Sequence, residues 1–274
     1  MKRLFPIILL LTVATGAYAQ KRAFTIEDLY RIKSISDVHI SPDGKSVVYL
    51  VTDFDLARAK RVGHIWMMDI DGRNARQLTF DAKGESSPQF SPDGKSLLMI
   101  SSRDGSPNLY VLPLNGGEAR RLSNVSTGVA DPLWSPDSKW IALATDVYPD
   151  CGDDDACNQK TRNTWSNGPL KAHMADNLLY RHWTDWKDGT RTHLFLANAA
   201  TGAVRDLTPG DFDSPGFQLG GPLQYDFSPD SSEITFVSNH DKTPASSTNN
   251  DLWSLSLTDR SAKPRRQVRS RPEN

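Results

Sequence analysis

Three groups of residues in this chain have types and spacings that chemistry uses. The first is the only cysteine pair, Cys151 and Cys157, in Asp150-Cys-Gly-Asp-Asp-Asp-Ala-Cys-Asn158. Such a pair reads as a disulfide pinching a surface loop in an oxidising compartment, or as a metal site drawing on the thiols and Asp153, Asp154 and Asp155. No second cysteine pair or histidine pair with zinc spacing accompanies it, and the acidic run lacks the alternation of a calcium loop. The expectation is therefore a disulfide and no metal. The second group is Arg181-His182-Trp183-Thr184-Asp185-Trp186. Arg181, His182, Trp183 and Asp185 are the candidates for contacting a substrate, although a histidine beside aromatics is also the pattern of a packed structural segment. The third is a serine and an aspartate at fixed spacing, in Ser41-Pro42-Asp43-Gly44 and its copies. A serine nucleophile needs more than that. It needs Gly-x-Ser-x-Gly between a strand and a helix, so that its Oγ stands clear of the sheet. The nearest string, Gly84-Glu85-Ser86-Ser87-Pro88, lacks the second glycine and precedes a strand, and no alternation of strands and helices appears. No catalytic residue is assigned, and no cofactor is implied.

The serine-aspartate motif is instead the punctuation of a repeat. It occurs at Ser41, at Ser91, and in degraded form at Ser135 (Ser-Pro-Asp-Ser-Lys) and Ser228 (Ser-Pro-Asp-Ser-Ser). Proline presets φ for the first central position, aspartate bonds back to the backbone and glycine takes the left-handed position, which is the chemistry of a tight turn. Where serine replaces that glycine, a slightly relaxed loop is expected. Strand-like residues flank every copy, as in Val38-His39-Ile40 before the first and Val47-Val48-Tyr49-Leu50-Val51 after it. A second signature follows each hairpin: His64-Ile65-Trp66, Asn108-Leu109-Tyr110, His193-Leu194-Phe195 and Asp251-Leu252-Trp253. After three of them a glycine turn leads to a short closing strand, in Ala75–Thr79, Ala119–Ser123 and Val204–Thr208. Four strands per unit, in units near ~40–45 residues, predict an all-β fold: a β-propeller of four-stranded antiparallel blades. About four blades are present, at 37–80, 86–124, 129–208 and 221–260, in what reads as an incomplete ring.

The phase of the repeat locates its exception. The second signature follows the turn serine by 23, 17 and 23 residues in blades one, two and four, and by 58 in blade three. Blade three thus carries an insertion between its second and third strands, at 147–190. The insertion holds the cysteines, a polar stretch from Asn158 to Asn167, and then Leu178, Tyr180, Trp183 and Trp186. Those four are too apolar to stand in water, and they either pack on the blade or line a surface that another domain covers.

Before the blades, residues 20–36 read as a lead helix capped by Thr25 with Asp28 three positions on. Residues 1–19 read as a secretory signal: Lys2 and Arg3, an apolar Leu4–Val13, then Ala17-Tyr18-Ala19. That apolar run is shorter than the ~20 residues a membrane span needs. The expected location is periplasmic or secreted, with no membrane contact after cleavage. A formal net charge of −1 over 274 residues gives no reason to expect nucleic acid. The tail, 261–274, has one large apolar residue among clustered arginines and is expected to be disordered. It stands where a closing strand belongs, which suggests truncation or a shifted reading frame.

Taken together, the lead helix, the Ser-Pro-Asp-Gly hairpins, the Arg181–Trp186 segment and Asp206-Leu207-Thr208-Pro209-Gly210-Asp211 resemble the N-terminal propeller of secreted serine peptidases of the prolyl oligopeptidase family, over roughly 23–260. The dipeptidyl-peptidase and acylaminoacyl-peptidase-like members are closest in look. The resemblance implies a propeller of seven or eight blades that restricts entry of peptides to an α/β-hydrolase domain, which is the expected partner and carries the catalytic residues. Without that domain this chain is expected not to hydrolyse peptides. The other reading is a stand-alone TolB-like periplasmic propeller that binds protein through one face.

Overall fold

Each serine-aspartate turn is closed by its own side chains. In the computed structural model, which describes residues 22–169, 172–175, 178, 180–216, 223–259 and 261–267 (backbone alone for His182), Ser41 Oγ donates to Asp43 Oδ1 at 2.7 Å. That carboxylate accepts from the Lys45 N–H at 3.1 Å, and the Ser46 N–H donates to Ser41 Oγ at 2.9 Å. The same bonds recur at Ser91, Ser135 and Ser228. Hydrogen bonds from the Ser228 and Ser232 hydroxyls hold the Asp230 carboxyl down at about 2. Gly44 and Gly94 take φ of 71° and 69°, and Ser138 and Ser231 take 61° and 60° at the same position. The degraded turns keep the left-handed geometry; they do not relax away from it.

These turns join first and second strands. The first sheet is β1 (Ser34–Ile40), β2 (Ser46–Asp55), β3 (Lys60–Asp69) and β4 (Arg76–Gln77). The second is β5 (Glu85–Phe90), β6 (Ser96–Ser101), β7 (Asn108–Pro113) and β8 (Arg120–Arg121). The third takes β9 (Ala130–Trp134) and β10 (Trp140–Val147), then β13 (Arg191–Asn198) and β14 (Val204–Asp206). The insertion between β10 and β13 contains α2 (Asp155–Asn167) and a hairpin of β11 (Arg181–His182) with β12 (Asp185–Trp186). The fourth sheet is β15 (Tyr225–Phe227), β16 (Glu233–Ser238), β17 (Asp251–Ser256) and β18 (Arg265–Arg266). Every sheet runs antiparallel in chain order, so each is one blade. Among the described residues no strand pairs the first sheet with the fourth, and the ring stands open.

Alternation along the strands packs blade on blade. Val48 and Ile65 of blade one bury against Leu97, Met99 and Tyr110 of blade two. The opposite face of blade two, with Leu98, Ile100, Leu109 and Val111, meets Ile141, Leu143 and Phe195 of blade three. Ala142, Leu194 and Leu196 then meet Ile234, Phe236 and Leu255 of blade four. Period-two side-chain direction gives the middle strands of blades two and three two buried faces, which is why β6, β7, β10 and β13 read as near-continuous apolar runs.

Two repeated devices shape the blades. The first strands of blades one to three are bulged, with Asp37, Ser87 and Asp131 at φ 52°, 53° and 51°, each four residues before its turn serine. The fourth strands are locked by a hydroxyl. The N–H groups of Ile65, Leu109 and Leu194 donate to Thr79 Oγ1, Ser123 Oγ and Thr208 Oγ1, each at 2.9 Å. The carbonyls of the same three residues accept from Leu78, Leu122 and Leu207.

The structure corrects two expectations. The lead helix is a single turn, α1 (Ile26–Leu29), with the Asp28 carboxylate accepting from the Thr25 N–H at 2.9 Å. By Ser34 the chain is already strand, because Ile35 pairs with Val51 in the sheet. In the tail, expected to be disordered from 261, Arg265 and Arg266 form β18 against Ser254 and Trp253. The Gln267 N–H donates to Leu252 O at 2.7 Å and Arg266 pairs with Asp251 at 2.8 Å. The closing strands of blades one and two are equally short, so two ladder pairs suffice without an apolar face. The signal segment at 1–19 and residues 268–274 lie outside the described residues.

Candidate functional site

The turns occupy one end of each blade; a cavity of about 450 Å³ opens at the other. One wall is Thr127–Asp131, the approach to the bulged strand β9. Ala144–Asp146 at the end of β10, Thr192 at the start of β13, and Asp213, Pro215 and Gly216 form the others. The insertion adds Asp185, Trp186 and Lys187 from the end of its hairpin.

The polar groups are arranged around Lys187. Its Nζ lies 3.2 Å from Asp213 Oδ1, 3.1 Å from Thr192 Oγ1 and 3.7 Å from Asp146 Oδ1. The Thr192 N–H also donates to Asp213 at 2.8 Å, and its hydroxyl donates to Asp146 at 2.6 Å. One cation thus serves two carboxylates, leaving Asp131 and Asp185 without a share of it. Burial pushes the Asp131 carboxyl up from its usual range. Tyr225 of blade four donates its hydroxyl to the Asp131 carbonyl, which fixes the bulge from the neighbouring blade. The wall is acidic, and it suits hydrogen-bond donors and cationic groups; it offers no activated nucleophile.

The cavity takes in part of the segment read from sequence. Asp185 lines it, as does Trp186. Arg181 pairs with Trp186 across the hairpin, its guanidinium 5.2 Å from the indole centroid. His173 stacks on the same indole at 4.0 Å and Tyr180 lies 5.7 Å away. Trp183 sits at the hairpin turn with φ 48° and is 78% exposed, outside the cavity lining. His182 lies on β11 opposite Asp185. Asp131, Asp146, Lys187 and Asp213 escaped the sequence reading. The only signal was phase: Asp131 stands four residues before a turn serine, as Asp37 and Ser87 do.

Two other constellations are structural. His193 is fully buried with Nδ1 2.6 Å from Asp206, the arrangement of a base and its orienting acid, but its Nε2 faces the Gly210 carbonyl at 2.9 Å. No ring nitrogen is left for a nucleophile. Cys151 and Cys157 are joined in a disulfide, with Cα atoms 5.5 Å apart. Asp154 caps α2 by accepting from the Cys157 N–H at 3.0 Å, and among the described residues no cluster of three or more potential ligands could hold a metal. No helix among them is long and apolar enough to cross a membrane.

Comparison with known proteins bears on the fold. Residues 27–150 match the TolB beta propeller domain family. The chain is 29% identical to dipeptidyl-peptidase 5 of Porphyromonas gingivalis over 241 residues, which is 85% of this chain and 34% of that protein. It superposes on the acylaminoacyl peptidase of Pyrococcus horikoshii with a TM-score of 0.60 at 13% identity, covering 88% of this chain and 33% of the other. The β-propeller domain of the Trilobed protease from Pyrococcus furiosus, described as having an open velcro topology, gives 0.51 at 13%, covering 87% and 58%. The chain spans about a third of the length of the curated dipeptidyl-peptidases it matches.

Proposed function

We propose that this chain, a β-propeller homologous to the N-terminal region of prolyl oligopeptidase-family peptidases, is the non-catalytic propeller of a secreted or periplasmic serine exopeptidase. There it gates the approach of peptides to an α/β-hydrolase domain. The observation that carries the reading is the lopsided coverage: 85% of the chain aligns with a dipeptidyl-peptidase, yet only 34% of that peptidase is represented. The cavity supports it. Its acidic wall faces away from the turns and receives Asp185 and Trp186 from the blade-three insertion. The alternative, a free-standing protein-binding propeller, draws on the match to the TolB beta propeller family over 27–150.

Sequencing the DNA beyond codon 274 in all three frames separates the two. A Gly-x-Ser-x-Gly elbow in α/β context within a few hundred codons is expected. Its absence from every frame would remove the peptidase reading. The 274-residue chain should leave dipeptidyl and acyl-amino-acid chromogenic substrates intact, and turnover by purified protein would contradict the non-catalytic assignment.

A further inference from the structure

The helix α2 has no apolar stripe and has only Asn158 buried, yet it is tied firmly to the blade. The tie is made at the residue just before the cavity wall. Asp155, the first residue of α2, accepts from the Ser126 N–H at 2.7 Å, and Arg162 two turns on donates to Ser126 O at 2.7 Å. Both backbone groups of Ser126 are therefore held by side chains of α2. The next five residues, Thr127–Asp131, line the cavity.

What holds α2 in place is its first turn and the loop before it. Asn158, 3% exposed, accepts from the Tyr148 N–H at 2.9 Å and donates to Gly152 O and Asp154 O at 2.9 and 3.1 Å. The Cys151–Cys157 disulfide closes that same loop. Sheet three does not depend on it, since β10 and β13 pair without interruption from Trp140 with Asn198 to Val147 with Arg191.

We propose that the disulfide-closed loop and α2 act as a clamp that, through Ser126, positions the cavity wall at 127–131, so that opening the disulfide loosens the cavity while the blades stay folded. Opening takes a dithiol. One thiolate attacks a cysteine sulfur, breaking the Cys–Cys bond and releasing the other cysteine; the second attacks its partner sulfur in the mixed disulfide and expels the remaining cysteine thiolate. The dithiol leaves as its cyclic disulfide, and Cys151 and Cys157 gain two electrons and two protons as thiols. The bearing of this on peptides rests on the function proposed above; the clamp does not, and it can fail independently.

Amide hydrogen exchange on the whole chain, with and without dithiothreitol, reads the clamp directly, because the Ser126 N–H is itself one of its bonds. Reduction is expected to speed exchange at Ser126–Asp131 at least tenfold and to leave β6 and β10 unchanged. Asp155→Ala, with the disulfide intact, should reproduce the local effect. Ser106 Oγ and Thr145 Oγ1 also bond Ser126 O and Gly128 O, both at 2.6 Å, so these anchors would keep the wall from melting outright. Unchanged exchange at 126–131 in either experiment overturns the proposal. So does acceleration spread equally over all four blades, which would make the disulfide a prop of the whole fold.

Discussion

At the scale of single residues, the informative positions are those where the repeat departs from itself. Ser138 and Ser231 occupy the left-handed site that Gly44 and Gly94 fill in the sister turns. That conformation costs a residue with a Cβ roughly 1–2 kcal/mol, and the greater freedom of glycine in the unfolded chain takes back roughly 0.5–1. Ser138→Gly should therefore raise stability by up to about 1 kcal/mol, read as a higher urea midpoint at unchanged slope. Ser231→Gly should gain less or lose, because Ser231 Oγ accepts from the Asp137 N–H of the neighbouring blade at 3.1 Å. The serine of each turn was legible in sequence because its partners lie within five residues. The cavity was not, because Asp131, Asp146, Lys187 and Asp213 come from four separate segments and meet only once three strands are in register.

Elements repeat the lesson. The hairpins could be read from alternation and turn chemistry, and so could the insertion, from phase alone. Helix α2 could not, because it lacks the apolar stripe that marks a helix; its signals are the Asp154 cap and the Gly168 that follows Asn167. The hydroxyl lock was visible as a recurring Leu-Thr or Leu-Ser, but its purpose appears only when the hydroxyl is seen to serve the third strand. Thr208 is fully buried and its Oγ1 takes the Leu194 N–H at 2.9 Å. Thr208→Val keeps the shape and strands that donor, which should cost about 1–3 kcal/mol, measured by denaturant unfolding. In blade four Gln267 holds the place of the leucine, its N–H donating to Leu252 O, and the residue that follows in sequence, Val268, has no hydroxyl with which to make the lock. Blade four should accordingly be the first to open, and the amides of β17 should exchange faster than those of β7.

For the whole molecule, the question is what an open row of blades does with its ends. Strand two of blades two, three and four turns Leu97 and Met99, Ile141 and Leu143, and Ile234 and Phe236 onto the blade before it. Among the described residues no blade precedes blade one. Ile35 and Ile40, which pair with Val51 and Val47 and so share their face, are 67% and 61% exposed. At the far end the corresponding strand-two positions are Thr235 and Val237, with Leu252 48% exposed beside them. Blade four therefore ends in a mixed surface, and blade one in the exposed isoleucines of β1, with Val47 and Val51 beside them buried. Exposed apolar side chains at an end blade favour association in water, and open sheet edges add to it. The 274-residue chain in isolation should self-associate at micromolar concentration and melt broadly. Replacing the two isoleucines, Ile35→Lys with Ile40→Lys, should shift light scattering towards the monomer without touching a blade–blade contact. If the unaltered chain runs as a monodisperse monomer with one sharp transition, the exposed face is not a liability, and four blades suffice for a stable fold.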